Sequence, residues 1–300
     1  MNDKKVPAQN SNNHLQKAES WASSLWKTAL ARWPDRIGQD KNYRLHVVHP
    51  TLDELLRERF RRGIHILDLG CGDCSLLDDP RFSGRIRPGG SYLGIDISGE
   101  LIDKASARHK GEGIRFLRGD LADQTLSNRI TGVRETWDVV LSVFVIQEVP
   151  DLDTFLENLA HIASPGSLVI VVTVHPAFAE WLLDEGRLRI ESSLQAGFES
   201  EALWRWAGYY PIVDEPMEPF YLPYFHRSVE DYREAFTRTG LKVCDIRNIP
   251  DRERDLPRLR ELRITPFFQF ETNLYWPRIA EEPSALVIAA LKEDLRGKDS

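Results

Sequence analysis

Two periods alternate along the middle of the chain. Short runs rich in Val, Ile and Leu recur as IHILDL from Ile64, SYLGIDI from Ser91, IRFLRGD from Ile114, WDVVLSVF from Trp137 and SLVIVVTV from Ser167. Each is apolar on successive residues, as a strand buried on both faces must be. Helical spacing separates them, with a short helix expected over 75–80 and longer ones over 100–110, 121–130 and 151–163. Strands of this kind, spaced by helices, predict an α/β, doubly wound, mostly parallel sheet covered on both sides. The Pro and Gly of Ser164-Pro165-Gly166 stop the last of these helices before the fifth strand.

The rhythm changes at both ends. Residues 1–13 lack apolar periodicity and read as a disordered tail. Leu15, Trp21, Leu25 and Trp26 then fit one amphipathic helix, and Leu52, Leu55, Leu56 and Phe60 a second, begun at Pro50 and Thr51 and ended by Gly63. Beyond His175, residues 176–226 are rich in Trp, Tyr, Phe and Pro and look like an insertion. Regularity resumes in SVEDYREAFTRTG, where Ser228 and Asp231 suit a capping box and Gly240 a helix stop. LKVCDIRNI and SALVIAALK follow as a sixth and a seventh strand around a second insertion. The expected division is a tail over 1–13, a helical cap over 14–62, a core over 63–175, a lid over 176–227, and the rest of the core over 228–295 with an insertion over 251–283.

Composition narrows the function. The 46 acids exceed the 39 bases for a net charge of −7, so the general affinity for phosphate backbones that a basic surface gives is missing and no nucleic-acid partner is expected. The N-terminus is polar and no apolar run reaches membrane-spanning length, which predicts a soluble, cytoplasmic protein with no membrane partner. Three cysteines, Cys71, Cys74 and Cys244, are too few for a disulfide framework.

The chemistry begins where the first strand ends, at Asp68-Leu69-Gly70-Cys71-Gly72-Asp73-Cys74. A glycine loop after the first strand of a parallel sheet brings backbone amides against a ligand. Gly70 and Gly72 keep the glycines that matter for the turn and the approach, and Cys74 stands where a third would serve packing. Asp68, just before the loop, would repel a pyrophosphate and attract a cationic amine. A metal or dithiol reading of Cys71 and Cys74 lacks further soft ligands, and no metal is expected. A plain structural turn stays open at this point.

ILDLGCGDC resembles the first motif of class I S-adenosylmethionine (SAM)-dependent methyltransferases, and the later pieces fall in that family's order. The resemblance implies a Rossmann-like, seven-stranded fold and SAM as cofactor. YLGIDIS is similar to the second motif, whose acid meets the ribose hydroxyls, here Asp96 with Ile97 beside it. FLRGDLAD is similar to the third, whose Asp meets the adenine, here Asp120 with Leu121. The fourth strand would lay Val143 and Phe144 along the cofactor. A closer likeness is to the small-molecule branch that includes ubiquinone-type enzymes and others of secondary metabolism. It rests on NYRLHVVHP, on Thr173, His175, Pro176 and Phe178, and on YFHRSVEDY. In that likeness Tyr43 and Arg44 close over the methionine carboxylate.

The resemblance implies methyl transfer to an oxygen or nitrogen of a small, aromatic or hydrophobic metabolite. His226 is the first candidate for a general base, because imidazole titrates near neutrality, and His175 is the second. Gln147 and Glu148 after the fourth strand, with Trp204 and Tyr224 in the lid, are candidates for binding the acceptor. The same aromatics would also suit the insertion's own core or a homodimer contact. A protein or peptide methyltransferase, a non-catalytic SAM-binding accessory protein and an NAD-dependent oxidoreductase are the alternatives. Asp68 beside the loop argues against the last of these.

Overall fold

The computed structural model of the chain describes residues 8–31, 43–57, 63–86, 89–121, 123, 126–195, 204–214, 217–250, 255, 261 and 283–293. All seven expected strands form: β1 (His65–Leu69), β2 (Ser91–Asp96), β3 (Ile114–Arg118), β4 (Val139–Val143), β5 (Leu168–Val174), β9 (Leu241–Ile249) and β10 (Ala285–Lys292). They make one sheet in the order β3-β2-β1-β4-β5-β10-β9. The first five run parallel, and β10 is antiparallel to both neighbours, from Ala285 opposite Val174 to Leu291 opposite Leu168 on the β5 side. The chain leaves β1 towards one edge and returns at β4 to build the other, so the loops after β1 and β4 part at the middle of the sheet. Parallel sheets bind ligands at such a crevice.

Nine helices among the described residues surround the strands: α1 (Ala8–Leu30), α2 (His49–Arg57), α3 (Pro80–Ile86), α4 (Gly99–Arg108), α5 (Leu126–Thr131), α6 (Leu152–Ile162), α7 (Pro176–Asp184), α8 (Ser192–Gln195) and α9 (Val229–Arg238). Alternation along the strands sorts side chains between two cores. Leu67 and Leu69 of β1 join α5, α6 and α9 on one face, whereas Ile66 joins α2, α3 and α7 on the other. Asp68 has the parity of Ile66 and so points to the face that carries α2 and the lid.

Several boundaries differ from the sequence reading. Helix α1 begins at Ala8, inside the expected tail; its side of contact is the lid rather than the main core, so its first turns need no apolar stripe of their own. A π-helical turn over Arg44–Val48 runs directly into α2, which therefore starts at His49 instead of Thr51. Past the glycine loop a 3-10 turn (Ser75–Asp78) precedes α3, because Pro80 suits only the first turn of a new helix. Among its described residues the lid is regular structure: after α7 come β6 (Arg189–Ile190), β7 (Trp206–Asp214) and β8 (Met217–His226), an antiparallel sheet in that order. Its β7–β8 hairpin pairs Trp206 with His226 and Ala207 with Phe225. Phe198 and the side chains of Tyr210 and Phe220 lie outside the described residues, as does the expected insertion over 251–283 apart from Asp255, Glu261 and Pro283. No helix among the described residues is long and apolar enough to cross a membrane.

Candidate cofactor and acceptor site

The glycine loop is shaped by its neighbours as much as by any ligand. Gly70 has φ +77° and a Cβ there would fall 2.3 Å from Val145 Cγ2, so both backbone and packing demand glycine. The Gly70 and Cys71 amides donate to the Ile95 carbonyl at 2.8 and 2.9 Å, holding the loop against the end of β2. Cys74 replaces the third glycine and takes φ +60°, a left-handed conformation uncommon for a residue with a side chain. Its buried thiol donates to Tyr92 Oη at 3.1 Å, and Tyr92 Oη donates to Asp68 Oδ2 at 2.6 Å. Burial pushes the thiols of Cys71 and Cys74 up, so neither is a reactive nucleophile. Among the described residues no group of His, Cys, Asp and Glu could hold a metal.

Two carboxylates share the loop. Asp68 is buried and its pKa is pushed up to about 6 by desolvation, with the Tyr92 hydroxyl and the Arg44 guanidinium working the other way and Asp96 adding repulsion. Asp96 ends β2, accepts from the Gly72 amide through Oδ2 and the Ser98 amide through Oδ1, both at 2.9 Å, and is also held above the usual carboxylate range by desolvation. Ile97 beside it leaves 39% of its surface exposed at the open end of the sheet. The Gly119 amide donates to the Asp96 carbonyl at 3.0 Å, which brings the exposed Asp120 and half-buried Leu121 to the same rim. The Leu121 carbonyl accepts from Asn158 of α6 at 3.3 Å.

Over the loop sits the π-helical turn. Tyr43 is buried and its hydroxyl lies 2.6 Å from Ser284 Oγ, which pins the turn to the start of β10. Arg44 places its guanidinium carbon 5.9 Å from the Phe144 ring centroid, and its Nε is buried without a hydrogen-bond partner. Phe144 follows β4 with φ +58°, a strained backbone for an aromatic residue, and its amide donates to the Val172 carbonyl at 2.7 Å. An orphaned arginine donor, the buried Asp68 and half-buried Asp96 carboxylates, and a rim of Ile97, Asp120 and Leu121 together fit a zwitterionic amino acid joined to a nucleoside. Arg44 would take the carboxylate, Asp68 the ammonium side and Asp96 the ribose.

Behind β4 and β5 the remaining predicted residues divide. Gln147 is buried, accepting from Thr173 Oγ1 at 3.1 Å and donating to Glu148 Oε1 at 3.3 Å. Tyr224 packs into the core cluster that also holds Val143 and Phe144. Trp204, expected to bind the acceptor, lies 4.9 Å from the Phe225 ring in a separate cluster with Ala18 and Ala22 of α1. It stabilises the outer face of the lid, and strand alternation puts Tyr224 and Phe225 on opposite sides. His175, expected as the second base, follows β5 directly. It caps α7, its Nδ1 accepting from the Ala177 amide at 3.2 Å and its Nε2 lying 3.2 Å from Asn248 Oδ1, so both nitrogens are committed. His226 is 1% exposed, stacks on Trp206 at 4.5 Å, has Nε2 3.2 Å from Glu180 Oε1, and keeps a buried Nδ1 without a partner. Burial, with Arg205 and Arg227 nearby, pulls its pKa down to about 4, so it is neutral at pH 7.

Three features escaped the sequence reading. Tyr92 was visible only as an apolar strand position, though its register opposite Ile66 could have set it beside Asp68. Arg227, fully buried, donates to the carbonyls of Val149 at 2.7 Å and Pro150 at 3.0 Å, tying the lid to the loop after β4. Asp79 binds His49 Nδ1 at 3.0 Å and Arg81, which in turn donates to the Leu45 carbonyl at 2.9 Å. No local pattern marks Asp79, and Arg227 stood in the sequence only as part of YFHRSVEDY, without these partners.

The glycine loop, the acid at the end of β2 and the strand order define a nucleoside-binding α/β fold of the SAM-dependent methyltransferase type. Residues 67–169 match the family described as a methyltransferase domain. Among curated proteins, the ubiquinone biosynthesis O-methyltransferase of Sinorhizobium medicae is 28% identical over 228 residues, covering 72% of this chain and 79% of that protein. Its counterpart in Rhizobium rhizogenes is 34% identical over 114 residues, 38% of this chain and 42% of the other. Among solved structures, a chain in the complex between the Haloferax volcanii Trm112 methyltransferase activator and its methyltransferase partner superposes with TM-score 0.55 at 20% identity, covering 89% of this chain and 97% of that one. A SAM-dependent methyltransferase from Listeria monocytogenes gives 0.53 at 16% identity, with 80% and 96% covered. The structural likenesses carry the fold.

Proposed function

We propose that the protein binds SAM across the ends of β1, β2 and β4 and moves its methyl group to an oxygen or nitrogen of a small aromatic or hydrophobic metabolite. The observation that carries this is the pair of carboxylates, buried Asp68 and half-buried Asp96, at a glycine loop capped by an arginine whose Nε lacks a partner. A pyrophosphate would add negative charge where cations are already short; an ammonium and a sulfonium supply them. When bound, SAM supplies an electrophilic methyl carbon whose bonding pair remains on sulfur as transfer occurs.

The chain's own residues do the positioning. Arg44 and Phe144 close the methionine end, Asp96 accepts from sugar hydroxyls, and Tyr43, fixed to Ser284, keeps this cover in place. Gln147, Glu148 and Tyr224 border the space where an acceptor approaches in line, and holding it there accounts for much of the rate. His226 accepts a proton if the acceptor brings one. The relatives' description as O-methyltransferases favours oxygen as the acceptor atom.

Calorimetric titration with SAM, S-adenosylhomocysteine and NAD tests the reading. Micromolar binding of the first two with none of NAD is expected; binding of NAD alone overturns it.

A further inference from the structure

Tyr92 stands on β2 opposite Ile66, two residues before Gly94, which is opposite Asp68. Residues two apart on a strand share a face, and glycine adds no side chain beside the carboxylate. A Cβ at Gly94 would fall 2.8 Å from Cys71 Sγ and 2.9 Å from Phe116 Cδ1, so the position is closed to larger residues. Across this face the Tyr92 hydroxyl donates to Asp68 Oδ2 at 2.6 Å, and the Cys74 thiol donates to the hydroxyl at 3.1 Å.

The order of donors is fixed. An ionised carboxylate only accepts and a phenol has one hydrogen to give. Burial pushes both the Tyr92 hydroxyl and the Cys74 thiol up, so both keep their protons across the neutral range. The chain of donors therefore starts at sulfur and ends on Asp68. Phenylalanine at 92 would pack equally well against Phe116, whose ring centroid is 6.0 Å away, so the core does not require the hydroxyl. Nor does the turn require a thiol: at φ +60° Cys74 holds a backbone that glycine adopts without strain.

We propose that Tyr92 is a positioning residue for the cofactor: its hydroxyl, oriented by the Cys74 thiol, commits Asp68 Oδ2 and so fixes the carboxylate that receives the ammonium of the ligand's amino-acid end. The proposal rests on the SAM-binding reading above. It sets the two ends of the ligand apart, since Asp96, on the sugar side, is held instead by the Gly72 and Ser98 amides.

The same relay sets the pH range of binding. Asp68 titrates at about 6, raised by burial, with the Tyr92 hydrogen bond and Arg44 working the other way and Asp96 adding to the rise. Cys71 and Cys74, the titratable loop residues beside it, stay neutral thiols because burial pushes them up. Protonated Asp68 offers an ammonium no charge, so affinity for a ligand that carries one falls as pH drops through about 6. Without the hydroxyl the carboxylate loses a group that favours it, and the fall moves to higher pH.

Calorimetry of the full chain with two ligands tests this: S-adenosylhomocysteine, which carries the ammonium, and methylthioadenosine, which shares the nucleoside and the thioether but has no amino acid. Y92F should weaken S-adenosylhomocysteine about tenfold at pH 7, the worth of one hydrogen bond to a charged group, and leave methylthioadenosine unchanged. The second ligand also reports that each variant is folded. Between pH 5 and pH 8, affinity of Y92F for S-adenosylhomocysteine should fall off at a higher pH than that of the wild type. In a D68N background the same substitution should change neither affinity, because Tyr92 acts through that carboxylate. Undiminished S-adenosylhomocysteine binding by Y92F, equal loss for both ligands, an unmoved pH profile, or a full effect of Y92F on top of D68N overturns the proposal and leaves Tyr92 a packing residue. Wild-type protein that binds neither ligand sinks the SAM reading itself, and the proposal with it.

Discussion

At the scale of single residues, Asp68 works against the stability of the free protein. Its folded pKa of about 6 exceeds its ordinary value of 3.8, so the fold binds its proton more tightly than the unfolded chain does. The associated stability is fully present below pH 3.8 and is lost as pH rises through about 6. Asp68→Asn should therefore raise stability at pH 7 by up to about 3 kcal/mol while weakening SAM binding. Thermal melts at pH 5 and pH 8 check the first expectation, since the gain over wild type should widen with pH, and calorimetry checks the second. Asp96 has a different balance: its two backbone partners survive only with a carboxylate at that place. Asp96→Ala should weaken SAM by about 10- to 100-fold, the worth of one or two charged hydrogen bonds, as read by the same titration. Undiminished binding would remove Asp96 from the site.

Between elements, the contacts that matter join segments far apart in sequence. The turn bearing Tyr43 and Arg44 is latched to α3 by Asp79, whose carboxyl is held well below the usual range chiefly by His49 and Arg81, against the opposing effect of burial. Asp79→Ala should release the turn and raise the dissociation constant for SAM about tenfold, with the sheet intact by circular dichroism. The lid depends on Arg227 in the same manner. Arg227→Leu strands the Val149 and Pro150 carbonyls and should cost about 2–4 kcal/mol in denaturant unfolding. Position 226 shows what an element adds to a residue type. Two histidines looked alike in sequence, and the helix that begins at Pro176 used one as its cap while the β7–β8 hairpin buried the other against Trp206.

For the whole molecule, the late strand β10 completes the sheet by entering between β5 and β9 and hydrogen-bonding both. A chain cut after residue 283 should lose cooperative unfolding by calorimetry, because β5 and β9 would each present an unpaired edge. A sharp melt for that truncation would show that the parallel half folds alone.

The seven strands, the glycine loop and Asp68, Asp96 and Asp120 were legible in the sequence because strand burial and a loop after a strand are local matters, written in neighbouring residues. Apolar runs declare a parallel sheet wherever they are, and a carboxylate at a strand's end stays at that end. What only the tertiary structure decided was pairing across the fold: Tyr92 with Cys74 and Asp68, Asp79 with the cap, Arg227 with the loop after β4, Trp204 turned to α1, and Glu180 against His226. Those outcomes depend on which faces meet when helices and sheets pack, and residues close in space but distant in the chain leave no periodicity to read.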